Sequence, residues 1–242
     1  MGRQTGADAR FAVSFRGFGV EGRYLGSFAW QDQHTTGLVT TLLTIPNINF
    51  GARTIAAQYG SDFSSREINA FWQVVPRVRI FGGYRRFNIA ESFAVDLGGG
   101  SNFTIATANR LSGFQAGGAL RVFDGADWSP AIAGVYVDVT GRIGRYDSDV
   151  SMLTTTANIG GALPSAAASD RVRSTVTELD ATVGYRWSPN ASVHAGYRYL
   201  KLQGLALAPD NIASTNIVTG AASIVRTDVA YSGVFAGLRI GF

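Results

Sequence analysis

The chain has 242 residues, a length that suits one large β domain. Hydrophobic residues make up 46% and charged residues only 16%, so few charges are available to cover a soluble surface. No stretch approaches the roughly 18 apolar residues of a membrane helix, so the apolar content is dispersed by alternation, as in a membrane barrel.

Cysteine is absent, which removes disulfides and thiolate metal sites. The net charge of +4 is carried almost wholly by arginine, Lys201 being the only lysine. These arginines are scattered along the chain, a distribution that argues against nucleic acid as a partner. The start, Met1-Gly2-Arg3-Gln4, lacks the apolar core of a signal peptide. An exported barrel needs one, so the expectation is that a signal, and part of the first strand, lie upstream.

Period-two alternation, over segments of about 10 residues, is the pattern of a tilted membrane strand. A short strand is expected near 9–15, before Arg16-Gly17. Residues 19–31 set Val20, Tyr24, Phe28 and Trp30 against Glu21, Arg23 and Gln31. Residues 63–75 set Ile68, Ala70, Trp72 and Val74 against Glu67, Asn69 and Gln73, with Phe71 falling on the polar face. After Pro76, residues 77–90 form a strand whose facing is ambiguous. Residues 110–123 set Phe114, Leu120 and Val122 against Gln115 and Arg121. The clearest run is 134–145, with Val135, Val137, Val139 and Ile143 opposite Tyr136, Asp138, Thr140 and Arg142. Residues 178–187 and 191–201 form a hairpin about Ser188-Pro189-Asn190. Here Leu179, Val183, Tyr185, Trp187, Val193, Tyr197 and Tyr199 share one face. Glu178, Asp180, Arg186, His194 and Arg198 share the other.

The last strand, 226–242, ends in the alternating series Val234, Ala236, Leu238, Ile240 and Phe242. A terminal phenylalanine closing such a run resembles the signal that barrel-assembly machinery reads, so Leu238, Ile240 and Phe242 are the candidate assembly signal. Short turns near 16–18, 76–77, 124–129 and 188–190 alternate with long connections near 32–53, 93–107, 147–170 and 203–225. That layout predicts short periplasmic turns and long extracellular loops. The fold class expected over 1–242 is therefore a single all-β domain, an antiparallel up-and-down transmembrane β-barrel. Nine strands are visible, and because single-chain bacterial barrels have even numbers, ten strands are expected, with eight the alternative.

The inward-facing set expected to line the lumen is Arg23, Glu67, Arg85, Arg121, Asp138, Arg142, Glu178, Asp180, Arg186, His194, Arg198 and Arg239, with Glu21 beside it. It reads as an Arg–carboxylate network filling the interior, or as a narrow pore favouring anionic solutes. Ten strands fall near the filled end of the size range. Gly17-Phe18-Gly19-Val20-Glu21-Gly22 matches a dinucleotide fingerprint, but a strand follows it where a helix is needed. Ser192, His194 and Asp180 could suggest a hydrolase. Yet Ser192 and His194 share one strand face roughly 7 Å apart, too far for nucleophile activation. Asp147 and Asp149, with Asp124 and Asp127, read as solvated loop carboxylates. No enzyme activity, cofactor or metal is expected.

Several segments resemble the β-barrel porin family abundant in planctomycetes. They are Gly19-Val20-Glu21-Gly22-Arg23-Tyr24-Leu25-Gly26, Phe81-Gly82-Gly83-Tyr84-Arg85-Arg86-Phe87-Asn88-Ile89 and Asn109-Arg110-Leu111-Ser112-Gly113-Phe114-Gln115. Above all, Ala195-Gly196-Tyr197-Arg198-Tyr199-Leu200 runs into Gly204-Leu205-Ala206-Leu207-Ala208-Pro209-Asp210. The style is also similar to Legionella-type major outer-membrane proteins. The resemblance implies a bacterial outer-membrane barrel with a pore role, small hydrophilic or anionic solutes as cargo, and outer-membrane lipid as surroundings. The other expectation is a non-conducting barrel whose loops present adhesion or ligand-binding surfaces.

Overall fold

Strands dominate the computed structural model. It describes residues 6–27, 30–39, 43–45, 48–50, 53–158, 163–188 and 191–240, with backbone alone over 27–55 and 239–240. In chain order these are β1 (Gly6–Phe15), β2 (Phe18–Ser27), β3 (Trp30–Val39), β4 (Leu43–Ile45), β5 (Ile48–Phe50) and β6 (Arg53–Val75). There follow β7 (Val78–Asp96), β8 (Asn102–Asp124), β9 (Val135–Ala157), β10 (Ala166–Ser188) and β11 (Ala191–Leu205). The last three are β12 (Thr215–Asn216), β13 (Ala221–Ala222) and β14 (Thr227–Ile240).

The main sheet is antiparallel and up-and-down, in the order β1-β2-β6-β7-β8-β9-β10-β11-β14. β3 pairs with the far half of β6 beyond the end of β2, so β2 and β3 follow one line along it. The path thus has nine strands side by side, and among the described residues no ladder joins β1 to β14. The sheet nevertheless curls, for Asp8 on β1 reaches Arg198 on β11 at 2.8 Å.

The short turns have local causes. Between β1 and β2, Arg16 and Gly17 both have positive φ (50° and 86°), the combination that a tight two-residue hairpin demands. Pro76-Arg77 joins β6 to β7. The β8–β9 connection is built from two 3-10 turns, Gly125–Asp127 and Pro130–Ile132. Asp124 and Ser129 cap them by accepting from Ala126 N and Ala131 N.

On the far side the strands run longer than alternation suggested. The connections expected over 93–107 and 147–170 shrink to 97–101 and 158–165, because β7 to β10 continue well past the apolar alternation. They continue with their polarity exchanged. Near the short turns the outward residues are apolar, such as Ile80 and Tyr84 on β7 or Leu179, Val183 and Trp187 on β10. Farther along the same outward face stand Arg86, Asn88 and Ser92 on β7, and Arg173 and Arg171 on β10. Inside, the order is reversed. Arg85 and Glu178 are buried near the turns, and Phe87, Ile89, Leu111, Val176 and Leu202 are buried beyond them. This exchange explains the ambiguity of 77–90, since that strand crosses it.

Inward glycines make room for rings on neighbouring strands. Gly19 lies under Phe71, Gly117 under Phe81, Gly184 under Tyr136 and Gly196 under Phe235. Phe71, which falls among polar residues in the sequence, has its place over Gly19. A Cβ at Gly184 would sit 2.2 Å from the ring of the buried Tyr136. Gly184→Ala is expected to cost about 1–3 kcal/mol through overpacking. Gly141→Ala, where nothing lies within 4 Å of the added atom, should leave stability unchanged. Urea midpoints of the two refolded variants measure the difference.

Candidate functional site

The interior is the site, and it is built in layers. The deepest layer centres on Glu178 of β10, a fully buried carboxylate. It accepts from Arg23 Nη1 at 2.8 Å, Arg85 Nη1 at 2.6 Å and Arg142 Nη1 at 2.9 Å. Asp180, two residues on and therefore on the same face, accepts from Arg142 Nη1 at 3.1 Å and Arg198 Nε at 2.7 Å. Asp8 of β1 accepts from Arg23 Nε at 3.0 Å and Arg198 Nη2 at 2.8 Å. Glu67 lies 3.2 Å from Arg85 Nε, which also donates to Ser65 Oγ at 2.7 Å.

Neutral amides extend this network. Gln115 Nε2 donates to Glu67 Oε2 at 3.2 Å and Asn69 Oδ1 at 3.0 Å, and its own oxygen accepts from Tyr146 OH at 3.1 Å. Asn69 Nδ2 donates to Glu21 at 3.1 Å, and Arg79 pairs with Glu21 at 3.1 Å. Each guanidinium of the layer faces carboxylates, although two buried donors, Arg85 Nη2 and Arg142 Nε, make no hydrogen bond.

A smaller cluster lies toward the β8–β9 turn. Arg121 pairs with Asp138 at 2.8 Å and Asp124 at 3.2 Å, and Arg186 pairs with Asp124 at 3.0 Å. Both guanidiniums stand over the Tyr136 ring, at 4.6 and 5.7 Å. The twelve residues expected in one lumen set therefore divide. Arg23, Glu67, Arg85, Arg142, Glu178, Asp180 and Arg198 converge, whereas Arg121, Asp138 and Arg186 form their own group. His194 belongs to neither; its ring meets Phe235 edge-on at 6.2 Å. Ser192 lies 3.4 Å from Tyr136 OH, and Asp180 is held by arginines. Arg239 and Ile240 pair by backbone with Ser192 and Ala191, and Leu238 is exposed. Phe242 lies outside the described residues. Of the loop carboxylates, Asp149 accepts from Arg171 at 2.6 Å and Asp127 pairs with Arg77. Asp147 and Asp149 stand on β9, a strand where a loop was expected.

Above the ionic layer the interior is mainly apolar, with Glu91, Thr107, Asn109, Ser148 and Thr154 buried among the apolar side chains. Arg85 marks the junction, its guanidinium lying 4.3 Å from the Phe87 ring centre. Phe63, Phe87, Ile89, Leu111, Val176, Leu200, Leu202 and Leu205 then pack together. Beyond them Leu97, Phe103, Ile105, Met152, Ala208 and Ile217 form a second cluster. The last two come from the segment 206–226, which folds inward after Gly204 (φ 70°). Asn109 ties it down, donating to Ala206 O and accepting from Ala206 N, both at 2.8 Å. Glu91 accepts from Ala208 N at 3.1 Å and Tyr59 OH at 2.7 Å. Buried Asn211 bridges Leu207 O and Val225 O at 2.8 and 3.0 Å, which holds the segment folded.

Sequence reading missed Asp8 and Arg10, because β1 was read only from residue 9 and without facing. Register across the Phe15–Phe18 turn places both on the inner face. It also missed the apolar plug, although Leu205-Ala206-Leu207-Ala208 is a conspicuously apolar run for an exposed loop.

Removing one partner of a buried ion network leaves the others uncompensated. Glu178→Gln is expected to destabilise the fold by about 3–5 kcal/mol, seen as a lower urea midpoint with secondary structure retained below it. An unchanged midpoint would remove Glu178 from the centre of the network. In comparisons with known proteins, no family model matches this sequence, and no curated protein matches it.

Proposed function

We propose that this chain is a bacterial outer-membrane β-barrel whose interior is closed, serving as a structural or surface-presenting envelope protein. The polarity exchange carries this reading. Near the short turns an apolar exterior surrounds an ionic interior, which suits lipid outside and a sheltered centre. Beyond it a polar exterior surrounds an apolar core, which is the arrangement of a water-exposed domain. One set of strands thus provides both a membrane segment and a head standing clear of it. The outward run from Leu179 to Trp187 is about 26 Å long at about 3.3 Å per residue. Tilted by about 40°, it covers roughly 20 Å, near the apolar height of such barrels.

The resemblance to porins supports the membrane assignment and suggests a pore, but the packing inside supports a closed barrel. A solute would have to pass both the network around Glu178 and the cluster around Phe87 and Leu202, whose side chains are buried. The head, with the connections at its far end, is then the part available to partners.

The absence of cysteine makes the membrane reading directly testable. Single-cysteine variants at Leu179 and Val183 in vesicle-reconstituted protein should resist a membrane-impermeant thiol reagent. Variants at Arg173 and Thr175 should react. Uniform labelling would overturn the lipid-facing band. In planar bilayers the wild-type chain should insert without discrete conductance steps; regular steps would show that the interior opens.

A further inference from the structure

The outward face just beyond the apolar band carries an unusual pair. Arg66 on β6 and Arg86 on β7 stand directly opposite one another in register, and both are exposed. Like charges at opposed positions of an antiparallel pair are destabilising. Among the described residues neither has a carboxylate within ion-pair distance. Arg66 lies 6.0 Å over the Tyr24 ring, and the next outward position beyond Arg86 on the same rung is Ser112. Arg171 differs, since Asp149 neutralises it on the same outer surface.

Directly toward the turns from this pair, the next outward rung is Ile68 opposite Tyr84, both largely exposed. After it come Ala70 opposite Gly82, then Trp72 opposite Ile80. The small pair between two bulky rungs leaves a shallow dip in an otherwise greasy wall. Two unneutralised guanidiniums therefore sit at the head of an apolar strip running along β6 and β7. Arg145, exposed on β9 and opposed by Phe114, repeats the same juxtaposition of cation and exposed ring.

We propose that Arg66 and Arg86 clamp the phosphate of an anionic membrane lipid whose acyl chains lie over Ile68, Tyr84, Ala70 and Gly82. Guanidinium is suited to phosphate because its planar donors match two oxygens at once. A bound phosphate also relieves the repulsion across the rung. The continuation of the site into an apolar strip selects an amphiphile over a soluble anion. This inference rests on the lipid-facing band proposed above, and it adds a lipid class and a fixed position on the wall.

The test is lipid binding by the full chain, purified in a neutral detergent and counted by native mass spectrometry. Phosphatidylglycerol should bind in preference to phosphatidylcholine by about thirtyfold, the gain expected of two basic residues near an anionic headgroup. Arg66→Gln with Arg86→Gln should abolish the preference, Arg66→Lys with Arg86→Lys should keep only the part that charge alone supplies, and Arg171→Gln should leave it intact. Equal binding of the two lipids, or a preference surviving the double Gln variant, would overturn the clamp. Inorganic phosphate displacing the lipid at comparable concentration would overturn the amphiphile and leave only an anion site. If neither lipid binds and the outward cysteines label uniformly, the membrane reading has failed and the clamp with it. Protected cysteines with no lipid preference defeat the clamp alone.

Discussion

A strand has two faces, and a curled sheet gives each face one surrounding: the interior or the outside. Here the character of both surroundings exchanges part-way along the long strands, while the period of two holds through the crossing and the register shifts fall near strand ends. On β7 the outward series Ile80, Gly82, Tyr84, Arg86, Asn88 passes from apolar to polar as the inward series Arg85, Phe87, Ile89 passes from charged to apolar. The rest of the structure follows from that crossing. It fixes how far the apolar wall extends, where the ionic layer must stop and where a plug can begin. It also places arginines at the rim of the wall, because the first polar outward positions fall there on several strands at once.

The ionic layer is better understood through specificity than through stability. Taking charges out of water costs several kcal/mol per ion, and buried pairs often add little net stability over apolar substitutes. What the layer adds is register. Arg23, Arg85, Arg142 and Arg198 come from four different strands and all approach the Glu178 carboxylate. A slip of one residue in any of those strands would turn its arginine to the apolar wall. A network in which one carboxylate answers to four strands therefore rejects misaligned pairings together. Glycines do the same work sterically, since Gly184 and Gly196 accept rings only when Tyr136 and Phe235 lie beside them.

Legibility in the sequence follows the same division. The hairpin over 178–201 and the strand over 134–145 were readable because their outward residues are aliphatic or aromatic and their inward ones charged. That contrast exists only near the turns. Farther along, Asp147, Asp149 and Ser151 outside with Ser148, Val150 and Met152 inside read as a polar stretch, so strand residues fall within an expected loop. The ionic partners were legible as a set, because inward charge on every strand implies pairing. Their division into a layer around Glu178 and a group around Tyr136 was not, since it depends on stagger between strands. The tie from Asn109 to Ala206 spans most of the far half of the chain and leaves no periodic trace.

Closure of the sheet is where backbone and side chains divide the task. Eight antiparallel ladders separate β1 from β14, an even number, so these two edges run in the same direction. A direct ladder between them would be parallel, and the described residues form none. Every residue of β1 is exposed by its overall area, yet Asp8 and Arg10 turn their charged ends inward, to Arg23, Arg198 and Asp180. Side-chain ion pairs thus join the first strand to β11, past β14, across a gap that no backbone ladder bridges among the described residues. Open edges are intolerable in hydrocarbon, where each unpaired amide costs several kcal/mol. In a lipid-facing barrel this seam must be covered, and the ion pairs between β1 and β11 bring its two sides into position.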